Sequence, residues 1–186
     1  MSYHIYTTKG IVLSLISKRE TDKVAFIFTR DLGLIIGNAR GVRTTRSKIS
    51  PFLTELSLVK VSLVKGKRDW RVTSTSLIKN FGVELRGRPK AILSVGRILK
   101  LVHSMLHGED KNIELYEELE NGLMNLTENV LDTELEGFEV YTVAHILSHL
   151  GYLSKEEAPH DLESVVRSKG KFVSLVNSGI HASGLR

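Results

Sequence analysis

Arg40, Arg43, Arg46 and Lys48 fall inside the run Asn38–Lys48, NARGVRTTRSK, which holds no acid and no large apolar residue except Val42. Four cations on a short, glycine-broken stretch repel one another, so the chain gains nothing by packing them together. Their natural counterpart is an external polyanion, and the chemistry they offer is charge-assisted contact to phosphate oxygens. Lys65, Lys67, Arg68 and Arg71 gather again around Gly66. Trp70 beside Arg71 is the aromatic best placed to stack on a base, and equally well placed to fill the interior of a small domain. Lys18, Arg19, Lys23 and Arg30 form a third group. The bias runs through the half-chain. Residues 1–90 carry 18 Lys and Arg against 6 Asp and Glu, a net of +12, whereas residues 91–186 carry 8 against 15, a net of −7. One half is suited to meet phosphate and the other is not.

Other chemistry finds thinner support. Glu20 and Asp22 are a carboxylate pair that a metal nuclease would need, but Lys18, Arg19 and Lys23 beside them give the acids something nearer to balance. His103 and His107, and again His145 and His149, are four apart, the spacing that puts two imidazoles on one helical face. Neither pair carries the HExxH acid, and both border apolar stripes where histidine ordinarily packs or faces water. There is no GxxxxGK[ST] phosphate loop and no GxSxG elbow. With no cysteine, the chain has no disulfide, thiolate zinc site, cysteine nucleophile or iron–sulfur cluster. The expectation is a protein that is not an enzyme, with no catalytic residue, metal or cofactor.

The elements that must position the cations change character along the chain. Ile11–Ile16 is apolar and β-branched, and Val24, Phe26 and Phe28 follow a two-residue period. Arg30-Asp31-Leu32-Gly33 is a turn signal, and Leu34–Ala39 returns, which makes 23–40 a hairpin. In Pro51–Lys65 the apolar alternation changes parity at Leu58–Val59, the mark of a bulge and a bend. Trp70–Ile78 is the last strand, with Trp70, Val72 and Ser74 on one face. About five strands with short turns and one long basic loop fit a small, bent antiparallel barrel of the OB type. Past Leu85-Arg86-Gly87-Arg88-Pro89 the period becomes helical. Ile92, Val95, Leu99, Val102 and Leu106 share one stripe, and Leu115, Leu119, Leu123 (or Gly122), Leu126 and Val130 another. Leu135, Phe138, Val143, Ile146, Leu147 and Leu150 make a third, stopped by Gly151. Asp161 is a candidate N-cap for a short helix, and Phe172, Val173, Val176 and Ile180 mark a last one. The fold expected is α+β in two parts, an N-terminal OB-fold β-barrel over 1–80 and a C-terminal α-helical domain over 88–186. Seven acids from Glu109 to Glu128 read as the solvated face of the second helix. No apolar run is long enough to span a bilayer, and MSYHIYTTKG lacks the character of a signal peptide. The chain reads as cytosolic, with no membrane role.

Several blocks together resemble the RecO family of bacterial DNA-repair mediators. They are Lys9-Gly10-Ile11-Val12-Leu13, Arg19-Glu20-Thr21-Asp22-Lys23, Phe28-Thr29-Arg30-Asp31-Leu32-Gly33, Ala39-Arg40-Gly41-Val42-Arg43 and Ser47-Lys48. Their spacing is more specific than any one of them. Leu147–Leu153, Val176–Ile180 and Ser183-Gly184-Leu185 match the family more loosely. Many members carry a four-cysteine zinc knuckle in the helical half; here only SKEEAPH lies between Leu153 and Asp161, so zinc is not implied. The resemblance implies an OB-fold that binds single- and double-stranded DNA and anneals complementary strands. It also implies help in loading RecA onto DNA coated with single-strand-binding protein (SSB), together with RecR, and contact with the C-terminal tail of SSB. An apolar groove near Leu147, Leu150 and Leu153, with Lys155 at hand, is a candidate seat for that tail.

The DNA-binding residues expected are therefore Arg40, Arg43, Arg46 and Lys48, then Lys65, Lys67, Arg68, Arg71 and Trp70, then Lys23 and Arg30. The rival readings are an RNA-binding OB-fold protein, since phosphate attraction is common to both nucleic acids, and a basic protein-interaction scaffold without annealing activity.

Overall fold

The structure, a computed structural model, describes residues 4–18, 22–40, 52–67 and 69–185. The described residues form two compact units, one over Met1–Glu84 with Leu106–Ile113, the other over Leu85–Met105 with Glu114–Arg186.

The first unit holds β1 (Ile5–Ser17), β2 (Lys23–Thr29), β3 (Gly33–Ala39), β4 (Ser57–Lys65) and β5 (Trp70–Asn80), followed by the single turn α1 (Phe81–Glu84). The strands close into a barrel in the order β1-β2-β3-β5-β4. β1 extends well before the apolar run that announced it, because it serves two neighbours. Its first part, from Ile5 to Val12, pairs with β4, and its later part, from Gly10 to Ser17, pairs with β2. β2 and β3 are the expected hairpin. At their turn Gly33 has φ +71°, where a side chain is strained. Thr29 ties the turn, its Oγ1 donating to the Gly33 carbonyl at 2.8 Å and accepting from the Leu32 N–H at 3.1 Å.

Two features differ from the sequence reading. The barrel is not wholly antiparallel, because β3 and β5 meet in a short parallel pairing, Gly37 with Trp70 and Asn38 with Arg71. The register does shift where the alternation broke, between Leu58 and Val59, and again between Ser62 and Leu63. In both places the extra residue lies on β5, Ile78 and Thr73, not on β4. The Thr73 bulge reverses the parity of the later part of β5, so Thr75 rather than Ser74 takes the buried position after Val72. Val12, Ala25, Ile27, Ile35, Ala39, Leu53, Val59, Val61, Leu63, Trp70 and Val72 fill the interior.

In the second unit α2 (Pro89–Met105), α3 (Ile113–Glu128), α4 (Leu135–His149), α5 (Leu162–Arg167) and α6 (Lys169–Ala182) follow the helical stripes. α4 is the central helix. Eight of its fifteen residues are buried, and α2, α5 and α6 all pack on it, as a helix apolar on most sides requires. Gly151 ends its C-terminal turn at φ +79°. Asp161 caps α5, accepting the Ser164 N–H at 2.7 Å.

Candidate nucleic-acid interface

The parallel pairing of β3 and β5 sets Asn38 beside Arg71. Two clefts meet at Asn38 and Arg40. One, of about 210 Å³, is lined by Lys18, Asp22, Lys23, Asn38, Ala39 and Arg40. The other, of about 340 Å³, is lined by Asn38, Arg40, Val64, Gly66, Lys67, Asp69, Trp70 and Arg71. The end of the β2–β3 hairpin, the approach to β2 and the β4–β5 turn thus bring Lys18, Lys23, Arg40, Lys67 and Arg71 to one end of the barrel. Arg40, Lys67 and Arg71 are exposed. Lys18 donates from Nζ to Asn38 Oδ1 at 3.1 Å. Among the described residues no acid forms an ion pair with Lys23, Arg40, Lys67 or Arg71. Unpaired cations beside a concave surface create the positive field that a phosphodiester backbone fits. Arg43, Arg46, Lys48 and Arg68 lie outside the described residues.

Three expected residues sit differently. Arg30 is at the hairpin turn, seven residue steps from Lys23, so roughly 23 Å from the clefts at about 3.3 Å per step. It faces Asp31 at 3.7 Å. Trp70 is 6 % exposed and belongs to the barrel core. Its ring stands edge-on to Tyr6 at 5.3 Å, so it lines the second cleft while filling the interior. Lys65 turns from the clefts to Glu109, its Nζ 2.7 Å from Oε2 and 5.1 Å from the Trp70 ring centroid.

Glu109 is the residue the sequence reading misplaced. It is not on a solvated helix face but in the segment before α3, which belongs to the barrel unit. Its Oε1 accepts the Trp70 indole N–H at 2.8 Å. The Lys65 ammonium first, and the indole second, hold its carboxyl below the ordinary carboxylate range. Next to it, the Leu34 N–H donates to the Gly108 carbonyl at 3.2 Å. A Cβ on Gly33 would lie 2.5 Å from the Asp110 carbonyl oxygen. No sequence signal near Glu109 pointed to partners some 40 positions away.

The remaining candidates are accounted for within the second unit and the first cleft. Of the Glu20–Asp22 pair only Asp22 lies in the described residues, beside Lys18 and Lys23. His145 Nε2 is 3.0 Å from the Pro159 carbonyl oxygen, and His149 Nδ1 is 3.8 Å from Glu114. Among the described residues no three His, Asp or Glu side chains gather as metal ligands. No helix of the described residues is long and apolar enough to cross a membrane. The groove expected near Leu147, Leu150 and Leu153 is closed there, because Leu147 and Leu153 pack against Gly179 of α6. An open groove of about 450 Å³ lies instead along Leu101, Val140, Val143, Val173, Val176 and Ile180, and its lining includes Arg97 paired with Glu139 and Lys169 paired with Glu136.

The family model described as "Recombination protein O N terminal" matches residues 1–81. Over 80% of its length the chain is 30% identical to the DNA repair protein RecO of Dehalococcoides mccartyi strain 195, covering 57% of that protein. It is 26% identical over 77% of its length to the DNA repair protein RecO of Clostridium perfringens strain 13, covering 57% of it. The corresponding protein of Chlorobium phaeobacteroides strain BS1 is 28% identical over 64% of the chain and is 46% covered. The chain thus spans about half the length of these relatives.

Proposed function

We propose, from the chain's similarity to RecO proteins, that it belongs to the RecO family and acts in DNA repair by binding single- and double-stranded DNA at the cleft end of an OB-type barrel. There it holds complementary strands for annealing and, with RecR, assists the loading of RecA on DNA coated with SSB. One observation carries this reading. Lys23, Arg40, Lys67 and Arg71 converge on two adjoining clefts and have no acidic partner among the described residues.

The contacts are to phosphate. Such binding reads no base sequence and tolerates duplex as well as single strands. Trp70, held in the core, supports the cleft wall and contributes a ring edge. Arg43, Arg46, Lys48 and Arg68 extend the same basic surface in this reading, and Lys65 and Arg30 act at its margins. The task is non-enzymatic and cytosolic, with a DNA-binding domain over 1–80 and a helical domain over 88–186. In the helical unit the groove at Val140, Val143 and Val173 takes the apolar end of the SSB tail.

Annealing of two complementary labelled oligonucleotides precoated with SSB tests the proposal. Arg40, Arg43 and Arg46 changed together to Glu should abolish most annealing while melting stays near that of the wild type. Unchanged annealing would make these cations an ordinary solvated surface. If RNA of equal length displaced DNA from the wild type at lower concentration, an RNA-binding role would replace this one.

A further inference from the structure

We infer that Glu109 is a built-in competitor for phosphate, which holds Lys65 away from the second cleft until the backbone of a bound strand takes its place. The inference rests on the cleft reading of the same barrel and adds to it a regulation of that site.

The two carboxylate oxygens of Glu109 serve two partners. Oε1 accepts the Trp70 indole N–H at 2.8 Å, and Oε2 lies 2.7 Å from Lys65 Nζ. The fold needs the first contact, because Trp70 is buried in the barrel core and a buried N–H without an acceptor is costly. A neutral amide oxygen would meet that N–H as well as a carboxylate does, so the indole does not require the negative charge. Nor does the charge add much stability through Lys65. Both side chains of that pair are about half exposed, and ion pairs in water contribute little. What the charge does affect is the cleft. A carboxylate beside cations that meet phosphate lowers the field they offer. Its bond to Lys65 is the same charge-assisted contact that a phosphate oxygen would make.

Lys65 is placed to change partner. It lies directly opposite Trp70 and next to Gly66, and both of these line the second cleft together with Lys67 and Arg71. Its ammonium sits on a flexible four-carbon stem, so Nζ can leave Glu109 for the cleft mouth with no movement of the strand. The backbone around Glu109 is seated more firmly. The Leu34 N–H donates to the Gly108 carbonyl at 3.2 Å, and Lys111 Nζ is 4.0 Å from Asp31. Gly33 comes so near that a Cβ on it would lie 2.5 Å from the Asp110 carbonyl oxygen. The acid therefore stays with Trp70 while the lysine moves. Resting affinity is held below what the full set of cations would give, and Lys65 engages only once a strand lies in the cleft. A grip limited in this way favours release, which annealing requires as much as capture.

The test is a double-mutant cycle on the full chain, read as affinity for a labelled single-stranded oligonucleotide at about 50 mM salt, where phosphate contacts are strong. Glu109→Gln keeps an acceptor for the indole and frees Lys65. It should bind about fivefold more tightly and steepen the slope of log affinity against log salt by about 0.7. Lys65→Gln should cost about twofold in the wild type, where the broken ion pair offsets the gain from phosphate. On the Glu109→Gln background it should cost about tenfold. Glu109→Ser should show the same coupling to Lys65 and guards against a glutamine that displaces the indole. Asp69→Asn removes an acid from the lining of the same cleft without freeing Lys65, and on that background Lys65→Gln should again cost about twofold. An equal cost for Lys65→Gln with and without Glu109 overturns the inference, as does a Glu109→Gln chain that binds no tighter than the wild type. So does an Asp69→Asn background that sensitises Lys65 as strongly, since general charge would then explain the effect. The cleft reading is judged apart from this cycle, by Arg40→Ser with Arg71→Ser. If that pair binds as the wild type does, the cleft reading fails, whereas an additive cycle with that pair crippled sinks the competition by Glu109 alone.

Discussion

Several cations of the helical unit and those at the cleft end of the barrel are held in opposite ways. In the helical unit Arg88 meets Asp132 at 2.8 Å, Arg167 meets Glu163 at 2.7 Å, and Lys169 pairs with Glu136. Arg97 is bonded by Glu139, which also accepts from the buried Ser94. At the cleft end of the barrel, Lys23, Arg40, Lys67 and Arg71 have no such acid among the described residues. Ion pairs at a surface contribute little, about 0–1 kcal/mol each, so pairing is a poor measure of stability. It is a better indicator of availability. A cation already matched within its own unit offers little field to a ligand, whereas unmatched cations in a concave surface offer most of theirs.

Core truncation should separate the units most sharply. Ile27→Ala in the barrel should cost about 2–5 kcal/mol in denaturant unfolding and shift the emission of Trp70, the only tryptophan. Leu119→Ala in α3 should cost a similar amount while Trp70 emission at low denaturant stays native. A shared response of Trp70 to both would dissolve the distinction between the units.

Charge tests come next. Arg40→Glu with Arg71→Glu should weaken oligonucleotide binding about a hundredfold, roughly 2.7 kcal/mol, with unfolding unaltered. Arg97→Ser, in the paired class, should cost no more than about 1 kcal/mol of stability and leave DNA affinity unchanged. If the two variants weakened binding equally, pairing would not predict availability. Lys67→Ser should lower the slope of log affinity against log salt by about 1. With about six phosphate contacts the wild type should lose about a thousandfold in affinity between 50 and 200 mM salt. A flat response would remove phosphate contact as the basis of binding.

The smallest effect concerns Glu109. Its carboxyl is held low by Lys65 and then Trp70, so the folded state prefers the charged form more than the unfolded state does. The stabilisation it brings is present above the ordinary glutamate value of about 4.3 and is lost as pH falls through the lower folded value. The side chain is about half exposed, so the step should be small. Acid titration of Trp70 emission should show a component in this window that Glu109→Gln lacks.

Much of this was legible along the chain because periodicity is a local property. Val24, Phe26 and Phe28 alternate on β2, and the stripe through Leu115, Leu119, Leu123 and Leu126 is α3, since each side chain's direction is set by its own backbone repeat. The parity break at Leu58–Val59 marked a true irregularity, yet which strand carried the extra residue depended on pairing, and the answer was β5. Asp161 could be recognised as a cap because its partner, Ser164, is three residues away.

What the sequence determined alone was element type, the turn at Gly33, the basic half and the identity of the cations. Tertiary structure decided which cations act together. Arg40 and Arg71 are 31 positions apart in sequence and become neighbours only through the parallel pairing of β3 with β5. Arg30, nearer to Arg40 in sequence, is carried away along the hairpin. Glu109 leaves the acidic helix it seemed to belong to and binds Lys65 and Trp70. The physical reason is that charge is a property of a residue, but a field is a property of where charges meet. Meeting places in a closed barrel are set by long-range strand register, which no local pattern encodes.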